Sequence, residues 1–319
     1  MASRGRGAAG RGVRLLGVLC VGLLMAANAG AQSSYSRGQG VWPAFEGWWQ
    51  NDDGTYTLFF GYMNDNWEQV LDVPVGPMNN IEPGGPDQGQ PTRFLPRRNL
   101  FRFEIVVPAD FGDKELVWTL TANGQTNRTY ASLRTDYLVD KQTIATEVGA
   151  NRGGVSQDWQ WNEPPSVRLD VDEPRRVKVG EPLTLTAWAS DEDGIPSSTK
   201  MGVTLRPQGP RSSRRDRHPA YTPPRQIVPG TNNGLRFSWY VYRGEGEVSF
   251  DPVQMKTWQD SRPYANSPWS PPFTLPSVPE DGKYEVTATF DEPGTYVLRA
   301  LAGDGALFSW QDAVITVDP

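Results

Sequence analysis

Residues 284–300, YEVTATFDEPGTYVLRA, decide the fold. Tyr284, Val286, Ala288 and Phe290 alternate with Glu285, Thr287 and Thr289. A period of two places the first set on one face of an extended chain and the second on the other, which a helix cannot do. Pro293-Gly294 then reverses the chain, and Tyr296, Leu298 and Ala300 resume the alternation. The reading is two antiparallel strands, each with one buried face.

The same signature recurs on both sides of this stretch. Leu235, Phe237, Trp239 and Val241 oppose Arg236, Ser238 and Tyr240. Val177 and Val179, then Leu183, Leu185, Ala187 and Ala189, flank a Gly180-Glu181-Pro182 turn, and a last strand runs through 313–317. Nearer the N-terminus, Tyr56, Leu58, Phe60 and Tyr62 share a face. Phe101, Phe103, Ile105 and Val107 do the same, with Arg102 and Glu104 pointing away. Leu116, Trp118 and Leu120 lead to Asn123-Gly124, a dipeptide suited to the positive φ of a tight hairpin, and a return strand through Thr126, Arg128 and Tyr130. Glycine (33) and proline (28) are abundant enough to supply the many turns that short strands require.

The first 31 residues differ in kind. Arg4, Arg6, Arg11 and Arg14 form a basic head before an apolar run over 15–27, and Ala29-Gly30-Ala31 offers a cleavage site before Gln32. This pattern predicts a secretory signal peptide over 1–31, too short for a membrane span. Cys20, the one cysteine, would leave with it, so a mature chain has no disulfide, thiol nucleophile or thiolate metal site. Cleavage removes four of the 31 basic residues and none of the 37 acids, leaving 27 − 37 = −10. That acidity argues against a nucleic-acid partner. Without disulfides, an exported sandwich protein points to a bacterial envelope or the extracellular space, and to a protein or glycan partner there.

The expected organisation is all-β, with two antiparallel β-sandwich domains in tandem behind the signal peptide. A flexible lead-in covers 32–44, the first domain 45–147, a linker 148–165 and the second domain 166–319. Two insertions interrupt the strands. Residues 75–98 hold five prolines and no apolar period, and read as one long connection. Residues 206–234 carry Arg211, Arg214, Arg215 and Arg217 with His218, the only histidine, and read as a basic loop able to meet an anionic partner.

The second half resembles the PKD-like and broader immunoglobulin-like modules of exported bacterial proteins. The likeness rests on residues 179–185 (VGEPLTL), 189–194 (ASDEDG), Trp239, 290–298 (FDEPGTYVL) and Asp304-Gly305. It implies a sandwich with Trp239 between the sheets and Tyr296 packed at a corner. It implies little about function, because this fold carries many unrelated roles.

Catalytic constellations are scarce. One histidine in an Arg/Pro-rich segment makes neither a supported triad nor a histidine-rich zinc site, and no glycine-rich phosphate loop is present. A carboxylate-dependent glycan hydrolase is a weaker alternative, with Glu82 and Asp87 as its acids beside Asn79 and Asn80 in the 75–98 segment. Asp191 and Asp193, in an Asp-Glu-Asp-Gly turn, are weak candidates for structural calcium, and no other cofactor is expected. Trp48, Trp49, Trp258 and Trp269 lie outside the clearest alternation and could stack on sugar rings. Adjacent Trp48 and Trp49 must face opposite sides of an extended chain. The leading expectation is a non-catalytic exported binding or scaffolding protein, with carbohydrate binding as the alternative.

Overall fold

Alternation is converted into sheets almost throughout the computed structural model, which describes residues 35–150, 156–170, 175–196, 233–258 and 278–319. The signal peptide, most of the basic loop (with Arg211, Arg214, Arg215, Arg217 and His218) and Trp269 lie outside the described residues. No described helix is long and apolar enough to cross a membrane.

In the first half, β1 (Val41–Gln50), β2 (Tyr56–Asn64) and β6 (Arg97–Val107) form one antiparallel sheet. β4 (Asn79–Glu82), β7 (Leu116–Ala122) and β8 (Gln125–Ala131) form a second, and β3 (Leu71–Asp72) pairs with β5 (Arg93–Phe94). Leu58, Phe60 and Phe103 of one sheet meet Ile81, Trp118 and Leu120 of the other in a single apolar cluster. Phe60 stacks on Phe103 with ring centroids 5.0 Å apart, and Trp118 meets Phe103 edge-on at 5.1 Å. Asn123 (φ 47°) and Gly124 (φ 74°) make the β7–β8 hairpin turn that their sequence demands.

In the second half, β9 (Ser166–Leu169), β11 (Leu183–Ser190), β14 (Lys283–Phe290) and β13 (Val248–Asp251) make one sheet. β10 (Arg175–Lys178), β16 (Phe308–Asp318), β15 (Gly294–Gly303) and β12 (Arg236–Arg243) make the facing one, with β10 parallel to β16. Trp239 of β12 is buried between them, and Phe237 stacks on Tyr284 across the gap at 4.4 Å. The Tyr296 hydroxyl donates to the Glu292 carbonyl (2.9 Å), a tyrosine corner that pins the reversal before β15. Strand order, middle-strand tryptophan and tyrosine corner together are those of an immunoglobulin-type sandwich.

Several expectations shift. β1 starts at Val41, inside the stretch read as a lead-in, because Val41 and Pro43 alternate inward while Trp42 stays exposed. The 75–98 segment holds β4, β5 and the start of β6, so it is no single loop; its strands are too short for periodicity to register. Phe101 leaves the face of Phe103: a register shift in the β2–β6 pairing and a left-handed residue (φ 49°) turn it into a different cluster.

That third cluster reaches into the stretch read as a linker at Val148, Ala150 and Trp159. Helix α1 (Lys141–Glu147), capped by Asp140 accepting from the Thr143 amide, buries Ile144 and Ala145. A 3₁₀ turn, Gln157–Trp161, buries Trp159. These residues pack with Phe59 and Phe101 from the first half and Ala306 and Leu307 from the second. Residues Arg37–Pro319 accordingly form one compact unit.

Candidate functional site

β12 is buried on both faces, although one face is Arg236, Ser238, Tyr240 and Tyr242. Tyr240 and Tyr242 belong to the apolar cluster of the first sandwich, and Val297 and Leu301 of β15 pack against it. The polar face of the second sandwich is therefore a seam, closed by the segment expected to be a surface loop. The Thr92 amide donates to the Tyr242 carbonyl (3.3 Å), and the Tyr242 hydroxyl donates to the Gly89 carbonyl. Arg243 donates from Nε to the Gln90 carbonyl (2.9 Å) and from both Nη atoms to Asp87 (2.7 and 2.9 Å). Buried Arg93 pairs with Asp72 and with Glu247, each at 2.9 Å, and donates to the Gly246 carbonyl.

Arg299 is the centre of the seam. Its side chain is 4% exposed, it forks onto both Asp312 oxygens at 2.7 Å, and it donates to the Arg102 carbonyl. Its guanidinium lies 3.4 Å from the Tyr242 ring centroid and 4.8 Å from that of Trp310. The aromatic faces and Asp312 hold its charge although burial opposes it.

The residues singled out from the sequence are dispersed. Trp48 and Trp49 face opposite sides as extended geometry requires: Trp48 packs against the first cluster and donates to the Arg134 carbonyl, whereas Trp49 packs edge-on against Phe59. Asn79 is wholly buried, donating to the Val73 and Pro91 carbonyls and accepting from the Trp118 indole. Asn80 and Glu82 follow it on β4, with Glu82 exposed. Asp87 is held below the usual carboxylate range, first by its hydrogen bonds to Arg243. An acid held ionised suits the base or nucleophile of such a pair and not its proton donor. Trp258 is half-buried against the first cluster.

Asp191 and Asp193 do converge with a third acid. Asp304, wholly buried, accepts from the Ala306 and Leu307 amides and from Asn162 (3.0 Å). Burial pushes Asp304 up to about 6; burial, the Asp193 side chain and the Asp304 charge push Asp191 up to about 7. Among the described residues no group of three such side chains is arranged to hold a metal ion.

Two concavities went unforeseen. A groove of about 590 Å³ is lined by Trp49, Phe59, Phe101, Phe308 and Trp310, with Glu104, Lys141, Glu163 and Gln311 among its polar groups. A smaller cavity, about 290 Å³, sits where β6, the end of α1 and β12 meet. Neither was legible, because their walls come from strands far apart in sequence.

The class the geometry defines is a pair of fused β-sandwiches, the second immunoglobulin-type. No family model matches the chain, and no curated protein matches it. Among solved structures it is similar to a chimeric titin Z1Z2 (12% identity, 88% of this chain and 99% of that one, TM-score 0.21). It is also similar to the D00-D0 domain of intimin (11% identity, 88% and 100%, TM-score 0.23) and to domains 4 and 5 of the S-layer protein SbsC (9% identity, 88% and 98%, TM-score 0.21). Superpositions this loose carry no argument about what the chain does.

Proposed function

We propose that this chain is a non-catalytic binding or scaffolding protein of the bacterial cell envelope or extracellular space. The reading includes export by residues 1–31, PKD-like kinship of 166–319, and a division into units 45–147 and 166–319. The observation that carries it is the seam: three buried or half-buried arginines, Arg93, Arg243 and Arg299, stitch one sandwich to the other. A fixed angle between two β units is what a spacer or presenting module needs, and what a chain of freely hinged modules lacks.

Fractionation of expressing cells tests the envelope assignment, with crosslinking in intact cells to trap a partner. Processed chain starting at Gln32 in the envelope or medium, crosslinked to a recurring protein or glycan, is the expected outcome. Unprocessed chain confined to the cytoplasm overturns the reading.

A glycan ligand is the second reading, favoured by the aromatic groove between Trp49 and Trp310. Indole faces bordered by carboxylate and amide groups suit a sugar's apolar face and hydroxyls. Titration with a glycan panel, followed by tryptophan fluorescence, should then give a saturable change that Trp310→Ala abolishes; a flat response across the panel excludes it.

A further inference from the structure

We propose that the 290 Å³ cavity between β6, α1 and β12 is a binding site for a small amphipathic monocarboxylate, whose charge is read by Arg102. Three arginines line it, and their circumstances differ. Arg98 is already paired with Glu46 at 2.6 Å. Arg236 is buried within range of the Asp304 carboxylate, and the loss of water around it lowers its pKa to about 10. Arg102 is also buried but pairs with no carboxylate among the described residues. Its Nη2 donates to the Thr257 carbonyl (2.6 Å), and its Nε has no hydrogen-bond partner there.

A buried guanidinium without a counter-charge is costly, and an unmade bond at Nε adds to the cost. The Thr257 hydroxyl is likewise buried and without a partner. Arg102 and Thr257 both line the cavity and are joined by a hydrogen bond, so they occupy one part of its wall. A carboxylate in the cavity would supply the counter-charge that Arg102 lacks.

The other walls set the rest of the ligand. Leu100, Leu301, Trp258 and Phe308 are apolar, and the Ser238 hydroxyl is occupied by the Met255 carbonyl. Glu147 is the one acid in the lining and opposes a second negative charge. At about 30 Å³ per water, the volume corresponds to roughly ten non-hydrogen atoms, the size of octanoate. One cation without a carboxylate partner and an apolar remainder describe a monoanion with a short hydrocarbon body. The site is independent of the scaffold reading and would stand if no partner were trapped.

Calorimetric titration of the full chain with octanoate, octan-1-ol and octyl phosphate tests it. Octanoate should bind saturably at one per chain, with octanol at least tenfold weaker. Arg102→Met should lose tenfold or more, and Arg102→Lys should recover part of that. Octanoate should also raise the melting temperature of the wild type and not of Arg102→Met. The comparison of octanoate with octanol uses the unaltered chain, so it stands even if a variant misfolds. Equal binding of octanoate and octanol overturns the proposal, as does undiminished binding by a folded Arg102→Met. Tighter binding of octyl phosphate overturns the monoanion assignment. Weak adsorption at several sites, or no heat at millimolar octanoate, overturns the site itself.

Discussion

Replacing Arg299 by methionine keeps most of the side-chain volume and removes the charge at the centre of the seam. The lost contacts are the fork onto Asp312, the bond to the Arg102 carbonyl and the stacking under Tyr242. Charge-assisted hydrogen bonds contribute roughly 1.5–3 kcal/mol each but are not additive, and breaking a buried pair by removing one partner costs about 3–5 kcal/mol. Asp312 keeps 33% of its side chain exposed and can rehydrate in part, which rules out the top of that range. The expected loss is about 4 kcal/mol. With a urea m-value of about 3 kcal/mol/M for a chain of this size, the unfolding midpoint should fall by roughly 1.3 M. Asp312→Leu in the Arg299→Met background should recover part of the loss, because the stranded carboxylate goes with it. A midpoint shift under about 0.3 M, or a double variant as unstable as the sum of the singles, would refute the assignment of Arg299 as the seam's centre.

Other perturbations separate structural from surface roles. Asp87→Asn removes the partner of Arg243, but Asp87 is 52% exposed, so the loss should stay under about 1 kcal/mol in the same urea titration. Asn79→Ala orphans two buried carbonyls and the Trp118 indole and should cost about 3 kcal/mol or more, with a visible change in near-ultraviolet dichroism. Tyr296→Phe loses only the corner hydrogen bond, about 1 kcal/mol, read as a small fall in melting temperature. The Asp304 carboxyl, at about 6 in the folded chain against about 3.9 unfolded, makes the folded state bind more protons between those values. Its contribution is therefore fully present below about pH 4 and is lost as pH rises through 6, at most about 3 kcal/mol. Urea midpoints taken from pH 4 to 8 should fall across that window, and Asp304→Asn should flatten the slope.

Strands whose one face is apolar were legible. Residues 284–300, the Asn123-Gly124 hairpin and the middle strand around Trp239 all lie where alternation puts them, because burial on one side imposes a strict period of two. β4 and β5 were not, since strands of four and two residues are too short to show a period. The stretch 148–165 was misread for a related reason. Glycine and proline suggested a free linker, but the signal that mattered was the apolar side chain of Trp159, anchored in a cluster fed by both sandwiches. For the candidate site, the sequence brought out Asp191 and Asp193, and Asp304 only as part of a family likeness, but not Asn162; that these meet follows only from the fold.

The seam exposes a deeper limit. Alternation assigns Arg236, Ser238, Tyr240 and Tyr242 of β12, and Arg102 of β6, to solvent, because a polar residue opposite an apolar one is the mark of a half-exposed sheet. A polar face buried against another polar face has the same sequence. What distinguishes the two is pairing: Arg93 with Glu247, Arg243 with Asp87, and Arg299 donating to the Arg102 carbonyl, each joining residues more than a hundred positions apart. Separating the sandwiches would strand those charges and open Tyr240 and Tyr242 to water. The tyrosines on the polar face were the available clue, since two aromatic bodies beside charges have more to gain from burial than from exposure. A pair of sandwiches joined through such a face has no inexpensive hinge. The two sandwiches are therefore held at a fixed angle.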